Sequence, residues 1–416
     1  MEIAICGCGP AGLAAALLLA RDGQRVRIFE QFAAPQPLGS GLILQPTGLA
    51  VLDELGLLRK LAGLGARIDR LYGRAVPSHK VVLDVRYRAM GEGWHAMGVH
   101  RAALFGVLHE AVVAHGVEIV TGKRVLRVEN DGTRTALFAA NDERLGSFDL
   151  IIDALGANSS LAKGRMRRTV LPYGALWTTV AWIDDGRFHN NALEQRYRRA
   201  SHMAGVLPTG RRIAGGPTEA AFFWSLKRSD LASWRERGVD AWKAEVAALW
   251  PEALALLSRI DRCEQLTFAQ YDHFTMARPW TGRVVHIGDA AHATSPQLGQ
   301  GANMGLLDAF ALQRALSASE DLPRALRRYA RMRYWHVRMF QAASAIFTPF
   351  YQSDSRTLPF IRDRFTAPIS RLPVANALLA RLVSGMTAAP LGRTQGLSFD
   401  RVNGCYPDQA SRADRN

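Results

Sequence analysis

The sequence predicts an α/β fold that carries an α+β insert, and three stretches of the chain support this prediction. A strand–helix–strand pattern with a glycine-rich turn occupies residues 1–30. Residues 173–274 contain short strand-like runs separated by turns. Residues 283–312 return to a buried strand, a glycine-rich loop and a helix. Alternating strands and helices favour a parallel sheet, whereas successive strands favour an antiparallel one. We therefore expect a parallel-sheet domain that is interrupted by a mostly antiparallel β domain and followed by C-terminal helices.

The composition is that of a globular protein with a basic surface. The chain of 416 residues is long enough for roughly two to three domains and a sizeable core. Its net charge is +15, with the basic residues spread along the whole chain. A basic surface attracts anions such as an acidic substrate, nucleic acid or a membrane surface, but no nucleic-acid-binding motif is present. We expect a solvated basic surface and no nucleic-acid partner.

The cysteines and the apolar runs bear on the cellular compartment. Four cysteines, at positions 6, 8, 263 and 405, are too few and too scattered for a disulfide framework. Cys6 and Cys8 lack the second pair that a zinc site requires, so no metal site is expected. The first strand follows Met1 directly, which leaves no room for a signal or transit peptide. No apolar run approaches the ~20 residues that span a bilayer. The sequence predicts a cytoplasmic protein, for which peripheral membrane contact stays open.

The first strand–helix–strand unit carries a dinucleotide-binding pattern in the turn Gly7-Cys-Gly-Pro-Ala-Gly12. Gly7 permits the tight turn, Gly9 lets a pyrophosphate approach the backbone, and Gly12 lets the helix pack closely on the strand. Glu30 follows about 20 residues later, where a carboxylate can accept both hydroxyls of an adenosine ribose. The unit predicts a Rossmann-like nucleotide-binding domain. A glycine-rich turn without a ligand is the alternative.

The next part of the chain contains two candidate ligand contacts. The stretch from Pro35 to Gly48 is rich in proline and glycine before a helix begins. Its glycines let a flat ring lie close to the backbone or merely turn a corner, and Gln45 is a candidate ring contact. Residues 69–100 contain short segments in which apolar and polar residues alternate, and this pattern predicts antiparallel strands. Arg101 then precedes a predicted helix, where it could reach a phosphate or a ribose or stay exposed.

Three further strands are predicted before the insert, at Val117–Val120, Val125–Val128 and Phe148–Ile152. The last of them ends at Asp153-Ala-Leu-Gly156. This is a second place where an apolar strand stops at an aspartate and a glycine.

The insert is predicted from strand-like runs at Trp177–Ile183, Met203–Leu207 and Ala220–Leu226, with a helical pair near Asp240–Leu257. Side chains two positions apart share one face of a strand. Three apolar residues are therefore candidates to line a substrate pocket: Met203, Phe222 and Trp224. Sheet core is the commoner role of such residues, and both interpretations stay open.

A loop rich in glycine follows the strand Val284–Ile287. The strand stops at Gly288-Asp289, Pro296, Gly299 and Gly301 punctuate the loop, and a helix is predicted to begin near Ala302. This order sets a carboxylate beside free backbone N–H groups at the positive end of a helix dipole. An ordinary strand-to-helix turn in which Asp289 is only a cap is the alternative.

The C-terminal region predicts helices. A long helix begins at Asp321 and is expected to stop before Pro349. Its predicted apolar stripe comprises Met332, Trp335, Met339, Ala342 and Ile346. Several arginines lie along this helix. Their number favours a solvated helix face over a role at a membrane surface. A last helix is predicted at Val374–Ser384, and a loose polar tail from Pro407.

The three glycine-containing motifs occur in this order in one family. The chain resembles the single-component FAD-dependent aromatic monooxygenases, that is, the p-hydroxybenzoate hydroxylase-like and ubiquinone-biosynthesis-hydroxylase-like enzymes. The resemblance covers roughly residues 1–350 and is weakest in the insert. We accordingly expect a Rossmann-like FAD-binding domain in two parts, 1–172 and 275–350, around a substrate-binding β domain at 173–274. Residues 351–416 form the expected C-terminal helical segment and tail.

The resemblance also implies a cofactor site. Gly7, Gly9 and Gly12 would hold the pyrophosphate, Glu30 the adenosine ribose and Asp289 the ribityl chain. Backbone N–H groups from about Gly299 to Asn303 would face the pyrimidine edge of the flavin. The full set of implied cofactor residues is Gly7, Gly9, Pro10, Ala11, Gly12, Glu30, Gln31, Gly41, Arg101, Val125, Gly156, Asp289, Pro296, Gly299, Gln300, Gly301, Ala302 and Asn303. Pro296 is implied for the substrate as well.

One motif departs from the family pattern. The family usually has Ala-Asp-Gly where this chain has Ala154-Leu155-Gly156, and Asp153 lies two residues earlier. The family aspartate is associated with FAD and NAD(P)H, so the departure bears on how NAD(P)H binds. No second dinucleotide motif is present, which fits transient binding of NAD(P)H at the surface.

The reaction that the resemblance implies is hydroxylation. NAD(P)H reduces FAD, O₂ adds to the flavin, and the terminal oxygen of the hydroperoxide passes to an electron-rich ring of a small apolar, phenol- or quinolone-like substrate. No catalytic side chain is predicted, although Tyr271, His273 and His202 are candidate bases, and His292 is interpreted as structural. The alternatives are a non-oxygenating FAD oxidoreductase and a flavin-binding accessory protein without turnover. A flavin halogenase is disfavoured because Trp177 to Trp182 does not supply its Trp-x-Trp-x-Ile-Pro motif. A monomer or homodimer is expected.

Overall fold

The structure is a computed structural model that describes residues 1–34, 36, 39–164, 168–370, 372–393 and 397–406. Its strands are β1 (Glu2–Cys6), β2 (Arg25–Phe29), β3 (Gly41–Leu44), β4 (Ala66–Ile68), β5 (Arg70–Ala75), β6 (Val81–Arg86), β7 (Ala96–His100), β8 (Glu118–Val120), β9 (Val125–Asp131), β10 (Arg134–Ala139), β11 (Arg144–Phe148), β12 (Leu150–Asp153), β13 (Thr169–Ala181), β14 (Ala192–Arg198), β15 (His202–Gly210), β16 (Glu219–Lys227), β17 (Thr267–Thr275), β18 (Trp280–Thr281), β19 (Val284–His286), β20 (His292–Ala293) and β21 (Pro390–Arg393). Its helices are α1 (Pro10–Arg21), α2 (Pro46–Glu54), α3 (Leu58–Ala62), α4 (Arg101–Ala114), α5 (Leu231–Leu249), α6 (Gly301–Ser317), α7 (Leu322–Tyr351), α8 (Thr357–Ile361), α9 (Ala367–Ser370), α10 (Pro373–Val383) and α11 (Asp400–Asn403).

A six-stranded sheet forms the first layer, in the order β18-β19-β12-β1-β2-β8. Its inner strands run parallel, and only the short β18 pairs antiparallel to β19. The central strands β1, β12 and β19 are buried along most of their length, as expected for a parallel sheet that is covered by helices. The predicted strand–helix–strand unit is present, with α1 beginning at Pro10 because proline suits the first turn of a helix.

An eight-stranded sheet forms the second layer, in the order β20-β17-β13-β16-β15-β14-β5-β6. Its pairs are antiparallel except that β14 and β5 run parallel. Two of its strands, β5 and β6, come from residues 70–86, outside the stretch 173–274 that the sequence predicts as the β domain. Pairing between distant strands leaves no local trace in a sequence, so the pattern could not indicate it.

Helix α7 differs from the prediction in two respects. It continues through Pro349 to Tyr351, since a proline in the last turn removes a single helical hydrogen bond. Of the predicted apolar stripe Met332 is buried, but Trp335 is 72% exposed and Ile346 is 64% exposed. The buried face carries Leu326, Tyr329, Val337 and Phe340 and, beside them, the polar residues Arg333 and His336, whose burial an apolar periodicity does not indicate.

Three further helices follow the predictions closely, whereas α5 begins at Leu231, well before the predicted Asp240. Helices α4 and α10 begin within one residue of the expected positions, and α6 begins at Gly301 beside the predicted Ala302. The predicted tail from Pro407 lies outside the described residues. Within the described part of the chain, no helix is long and apolar enough to cross a membrane.

Candidate functional site

A cavity of about 840 Å³ lies between the two large sheets and brings distant parts of the chain together. We call the part that is lined by backbone turns the glycine-rich wall. It is formed by residues 9–11, 39–41, 154, 156–157, 287–289 and 293–302. The turn after β1 and the loop before α6 meet here, since a Cβ atom added to Gly305 would lie 3.1 Å from Cβ of Ala11. The tertiary structure therefore joins the two motifs that the sequence singled out.

The three glycines of the first turn meet different surroundings. Gly7 has φ +106°, and a Cβ atom there would lie 2.5 Å from the carbonyl oxygen of Ala154. A Cβ atom on Gly12 would lie 2.1 Å from the carbonyl oxygen of Gly7. A Cβ atom on Gly9 would have no atom within 4 Å, and Gly9 lines the cavity. Gly7 and Gly12 therefore serve packing, whereas Gly9 leaves open space where a ligand can approach the backbone.

Glu30 lies at the end of β2, next to the glycine turn. Its Oε2 accepts a hydrogen bond from the backbone N–H of Cys8 at 2.9 Å, and its Oε1 accepts one from Phe32 at 3.1 Å. These bonds fix the carboxylate in place. Each carboxylate oxygen has a further lone pair, so Glu30 can still accept from a ligand hydroxyl.

The loop before α6 ends at a helix N-terminus without a side-chain cap. The first N–H groups of a helix have no partner within the helix and carry a partial positive charge. Asp289 faces the same cavity and is reachable from it. Enclosure by protein raises the pKa of this carboxyl, against the lowering effect of His292 and Arg101. The wall thus offers a carboxylate and backbone donors side by side.

Buried polar atoms without a protein partner gather at this wall in the described part of the chain. Those at this wall are Oγ of Ser40, Nε2 of Gln45, Oγ1 of Thr294, Nε2 of Gln297 and Oε1 of Gln300, and Oε1 of Gln270 on β17 also belongs to a cavity-lining residue. Unpaired buried polar atoms are costly, so such a group indicates a polar ligand or water. With the open space at Gly9 and the uncapped helix, this wall fits a dinucleotide that carries a polar ring system.

Asn303 holds the wall together from behind. Its Oδ1 accepts from the backbone N–H of Gln45 at 2.8 Å, and its Nδ2 donates to the carbonyl oxygens of Gly299 at 2.8 Å and Ile43 at 3.2 Å. Gln45 also accepts from the hydroxyl of Tyr87 at 2.6 Å. The amide of Asn303 is therefore used by the protein, and its side chain does not line the cavity.

A buried ion network supports the turn at Gly288-Asp289. Oδ2 of Asp308 contacts Nε2 of His292 at 2.6 Å and accepts from the N–H of Gly288 at 2.8 Å, while Oδ1 accepts from Nε of Arg333 at 2.7 Å. Burial opposes ionisation of Asp308, but His292 and Arg333 outweigh it and hold the pKa of this carboxyl well below its usual range. His292 faces Asp308 instead of the cavity, in line with the structural role expected for it.

Asp153 is withdrawn from the cavity. It is fully buried, contacts Nδ1 of His286 at 2.6 Å and accepts from Oγ of Ser159 at 2.6 Å and from the N–H of Leu155 at 3.0 Å. All of these partners belong to the protein. Asp153 therefore does not replace the aspartate that the family usually carries at position 155.

The opposite part of the cavity is the apolar wall, which the eight-stranded sheet provides. Met203 lines it as expected, together with Phe223 and Trp177. The expectation for Phe222 and Trp224 is wrong: both lie on the other face of β16, packed in the core against α5 residues such as Trp242. Gly205 pairs with Phe223 and Ala204 with Trp224, so Met203 shares its face with Phe223. The strand is present as predicted, but its cavity face is the one that carries Phe223, and the face with Phe222 and Trp224 belongs to the core.

Other predicted residues take the following places. Pro10, Ala11, Gly41, Arg101, Gly156, Pro296, Gly299, Gln300, Gly301 and Ala302 line the cavity. Gln31 is exposed, and Val125 is buried with its carbonyl oxygen accepting from Oγ of Ser160. Neither of these two residues lines the cavity.

Only one of the three candidate bases reaches the cavity. Tyr271 lines it and accepts a hydrogen bond from Nε1 of Trp177 at 2.8 Å, and burial raises its pKa. His202 stacks edge-on against Trp224 on the other face of the sheet. His273 approaches Ser344 and does not line the cavity.

Sequence reasoning missed a buried aromatic cluster on the apolar wall. Arg362 lies between the rings of Tyr197 and Tyr351, at 5.0 and 5.2 Å from their centroids, and all three line the cavity. Nothing in the local sequence pattern of these residues predicts that they meet. Only their common place in the cavity identifies them.

Comparison with known proteins agrees with this geometry. Residues 1–339 match the family described as FAD binding domain. The chain belongs to this family and, within it, to the single-component FAD-dependent aromatic monooxygenases. It is therefore an oxidoreductase that uses FAD to hydroxylate an aromatic substrate, as the sequence predicted.

The relatives are similar over most of their length. A 3-amino-4-hydroxybenzoate 2-monooxygenase of Streptomyces cremeus is 29% identical, over 80% of this chain and 83% of the relative. A 6-hydroxynicotinate 3-monooxygenase of Bordetella bronchiseptica is 26% identical, over 79% and 86%. The crystal structure of Klebsiella pneumoniae HpxO complexed with FAD and uric acid superposes with a TM-score of 0.78 at 21% identity, over 92% of this chain and 97% of that one. This last likeness concerns the fold, which is confirmed as α/β.

Proposed function

We propose that this enzyme uses NAD(P)H and O₂ to hydroxylate a small, apolar, phenol- or quinolone-like substrate. The single observation that carries the proposal is the shared cavity, in which the glycine-rich wall and the apolar wall enclose one space. The two relatives described above are named for ring substrates that already bear a hydroxyl group. A hydroxyl group makes a ring electron-rich, which suits attack by an electrophilic oxygen.

The glycine-rich wall is the proposed FAD site. Gly9 and the N-terminus of α1 would meet the pyrophosphate, and Glu30 would accept from the adenosine ribose. Asp289 would accept from the ribityl hydroxyls, and the N-terminus of α6 would face the pyrimidine edge. Reduced FAD supplies, with O₂, the oxygen that is transferred, and a helix N-terminus stabilises negative charge on the reduced ring.

The apolar wall is the proposed substrate site. Its side chains orient the substrate ring. They also exclude water, which protects the reactive oxygen-carrying form of the cofactor from hydrolysis. Tyr271 is proposed to accept from or donate to a substrate hydroxyl, because it lines the cavity and, among the described residues, its hydroxyl has Nε1 of Trp177 as its hydrogen-bond partner. Since its pKa is raised, Tyr271 is protonated near neutral pH and would position the hydroxyl instead of removing its proton.

NAD(P)H is proposed to bind transiently at the surface. The chain has no second dinucleotide motif, and Asp153 is occupied by His286 and Ser159. The position where the family usually has an aspartate carries Leu155, so we expect reductant binding to rely on the basic surface. A cytoplasmic protein, monomeric or homodimeric, completes the proposal. The free state of all four cysteines suits a reducing compartment.

The test is a turnover assay on the FAD-loaded enzyme with a panel of phenols, hydroxybenzoates, hydroxypyridines and quinolones. Oxidation of NADPH or NADH that is stimulated by one substrate, with a product heavier by one oxygen atom that comes from ¹⁸O₂, supports the proposal. Oxidation of NAD(P)H with a dehydrogenated product would favour a non-oxygenating oxidoreductase. Failure of every donor to reduce the bound flavin would favour an accessory protein.

A further inference from the structure

The C-terminal segment exposes an unusual number of large apolar side chains. Between positions 360 and 378 they are Phe360, Ile361, Phe365, Ile369, Leu372, Val374 and Leu378, each between 40% and 74% exposed. We call them the C-terminal apolar face. Exposed apolar residues scattered singly need no explanation, but a contiguous group marks a surface for a partner or a membrane.

Helix α10 buries one of its sides and exposes the other. Asn376, Ala380 and Val383 are its buried residues, so the helix is anchored by one side. Val374 and Leu378 are four positions apart and share the outer side, where they are 74% and 62% exposed. Val374 and Leu378 therefore form an exposed apolar stripe on a helix whose other side is buried against the protein.

Cations flank the C-terminal apolar face. Arg356, Arg364 and Arg381 are exposed, and none of them has an acidic partner among the described residues. Arg381 lies three positions after Leu378 and thus close to the same side of α10. The two aspartates between positions 351 and 383 are already paired, Asp354 with Lys227 and Asp363 with Arg362. The surface therefore combines apolar side chains with uncompensated positive charge.

The combination of exposed apolar side chains and positive charge favours an anionic lipid bilayer over a second copy of the chain. A two-fold contact between copies would bring the arginines of one face close to the same arginines of the other, and the chain as a whole carries a net charge of +15. A bilayer with anionic headgroups accepts both features, since arginines meet the phosphates while apolar side chains enter the acyl boundary. No helix among the described residues could span the bilayer, so the contact would be peripheral.

We propose that the C-terminal apolar face docks the protein on the surface of an anionic lipid bilayer. The same segment continues into the cavity wall, where Leu379, Leu382 and Val383 are lining residues. Docking therefore sets the side of the molecule that holds the cavity toward the membrane. The binding itself does not depend on the identity of the substrate or on the proposed function.

The experiment is co-sedimentation of the FAD-loaded enzyme with vesicles of phosphatidylcholine alone and of phosphatidylcholine mixed with phosphatidylglycerol, at low and high salt. We expect binding to the anionic vesicles that weakens with salt. The double variant Val374→Ser/Leu378→Ser should bind at least about tenfold more weakly. The matched control is Ile213→Ser, which removes a side chain that is 69% exposed elsewhere and should bind as the wild type does. Unchanged melting temperature and FAD content confirm that the variants are folded.

A second pair of variants tests the charge. Arg364→Gln/Arg381→Gln should lose the preference for anionic vesicles but keep the same oligomeric state in light scattering. The proposal is overturned if the wild type does not sediment with anionic vesicles, or if the apolar double variant binds as well as the control. It is also overturned if the wild type is a dimer that Val374→Ser/Leu378→Ser converts to a monomer, because the face would then be an interface between copies.

Discussion

Oδ2 of Asp308 lies 2.6 Å from Nε2 of His292, and the same oxygen accepts the backbone N–H of Gly288 at 2.8 Å. These contacts join the middle of α6 to the turn that presents Asp289. Arg333 on α7 holds the other carboxylate oxygen at 2.7 Å. The position of Asp289 in the cavity thus depends on a carboxylate that does not itself line the cavity.

The first prediction concerns this carboxylate. Asp308→Asn leaves Arg333 buried without its counter-ion, and breaking a buried ion pair costs about 3–5 kcal/mol. We expect a lower melting temperature and, because the turn at Gly288 loosens, weaker FAD binding by at least about tenfold. Thermal unfolding and fluorescence titration with FAD measure the two effects. Asp240→Asn, an exposed aspartate on α5, is the control, and an equal effect of both variants would contradict the role of Asp308.

The second prediction separates two glycines of the first turn. Gly9→Ala places its methyl group in open space, so the apoenzyme should keep its stability while FAD binds more weakly. Gly12→Ala places its methyl group 2.1 Å from the carbonyl oxygen of Gly7, so the apoenzyme itself should be destabilised. Melting temperatures of both apoenzymes, with and without FAD, check this contrast. Unimpaired FAD binding by Gly9→Ala would count against the proposed pyrophosphate site.

The third prediction separates two adjacent phenylalanines of β16. Phe222→Ala removes a fully buried ring from the core beside α5 and should cost about 3–5 kcal/mol of stability, with little effect on substrate preference. Phe223→Ala enlarges the cavity on the apolar wall and should change the ratio of kcat/KM between a small and a large substrate at a smaller stability cost. Urea unfolding and steady-state kinetics measure the two effects. The same change of substrate preference in both variants would contradict the assignment of the faces.

The fourth prediction concerns pH and His336. Its Nε2 donates to the carbonyl oxygen of Gly385 at 3.0 Å, and its Nδ1 faces Nη1 of Arg333 at 3.2 Å, so the ring is held neutral. Burial and then Arg333 lower its pKa to about 3, from an ordinary value of 6.5. The unfolded chain binds a proton below pH 6.5 that the folded protein binds only near pH 3. The contribution of neutral His336 to the free energy of unfolding is therefore fully present above pH 6.5. It falls by about 1.4 kcal/mol for each pH unit between pH 6.5 and about pH 3.

The variant His336→Asn keeps a polar side chain but cannot take up the proton. We expect it to be less stable than the wild type at pH 8, with a difference in melting temperature that narrows toward pH 5. Calorimetry across this range measures the difference. A difference that stays constant with pH would show that His336 does not titrate in this way.

The local motifs were predictable because short-range sequence order governs them. The strand–turn–helix with Gly7, Gly9 and Gly12, the acid at position 30 and the loop before α6 each depend on residues close together in the chain. Turn geometry, helix starts and buried strands leave local patterns. The family and its use of FAD followed from these motifs.

The arrangement of side chains across the fold was not predictable in the same way. Which face of β16 meets the cavity depends on its register against β15, and a shift of one residue exchanges Phe222 for Phe223. The buried face of α7 carries Arg333 and His336 because Asp308 and Gly385 lie opposite them, and no periodicity of apolar residues contains that information. The sequence by itself determined the nucleotide-binding motifs and the class of enzyme. Only the tertiary structure decided which side chains form the apolar wall and which face stays exposed, because these depend on contacts between residues that are far apart in the chain.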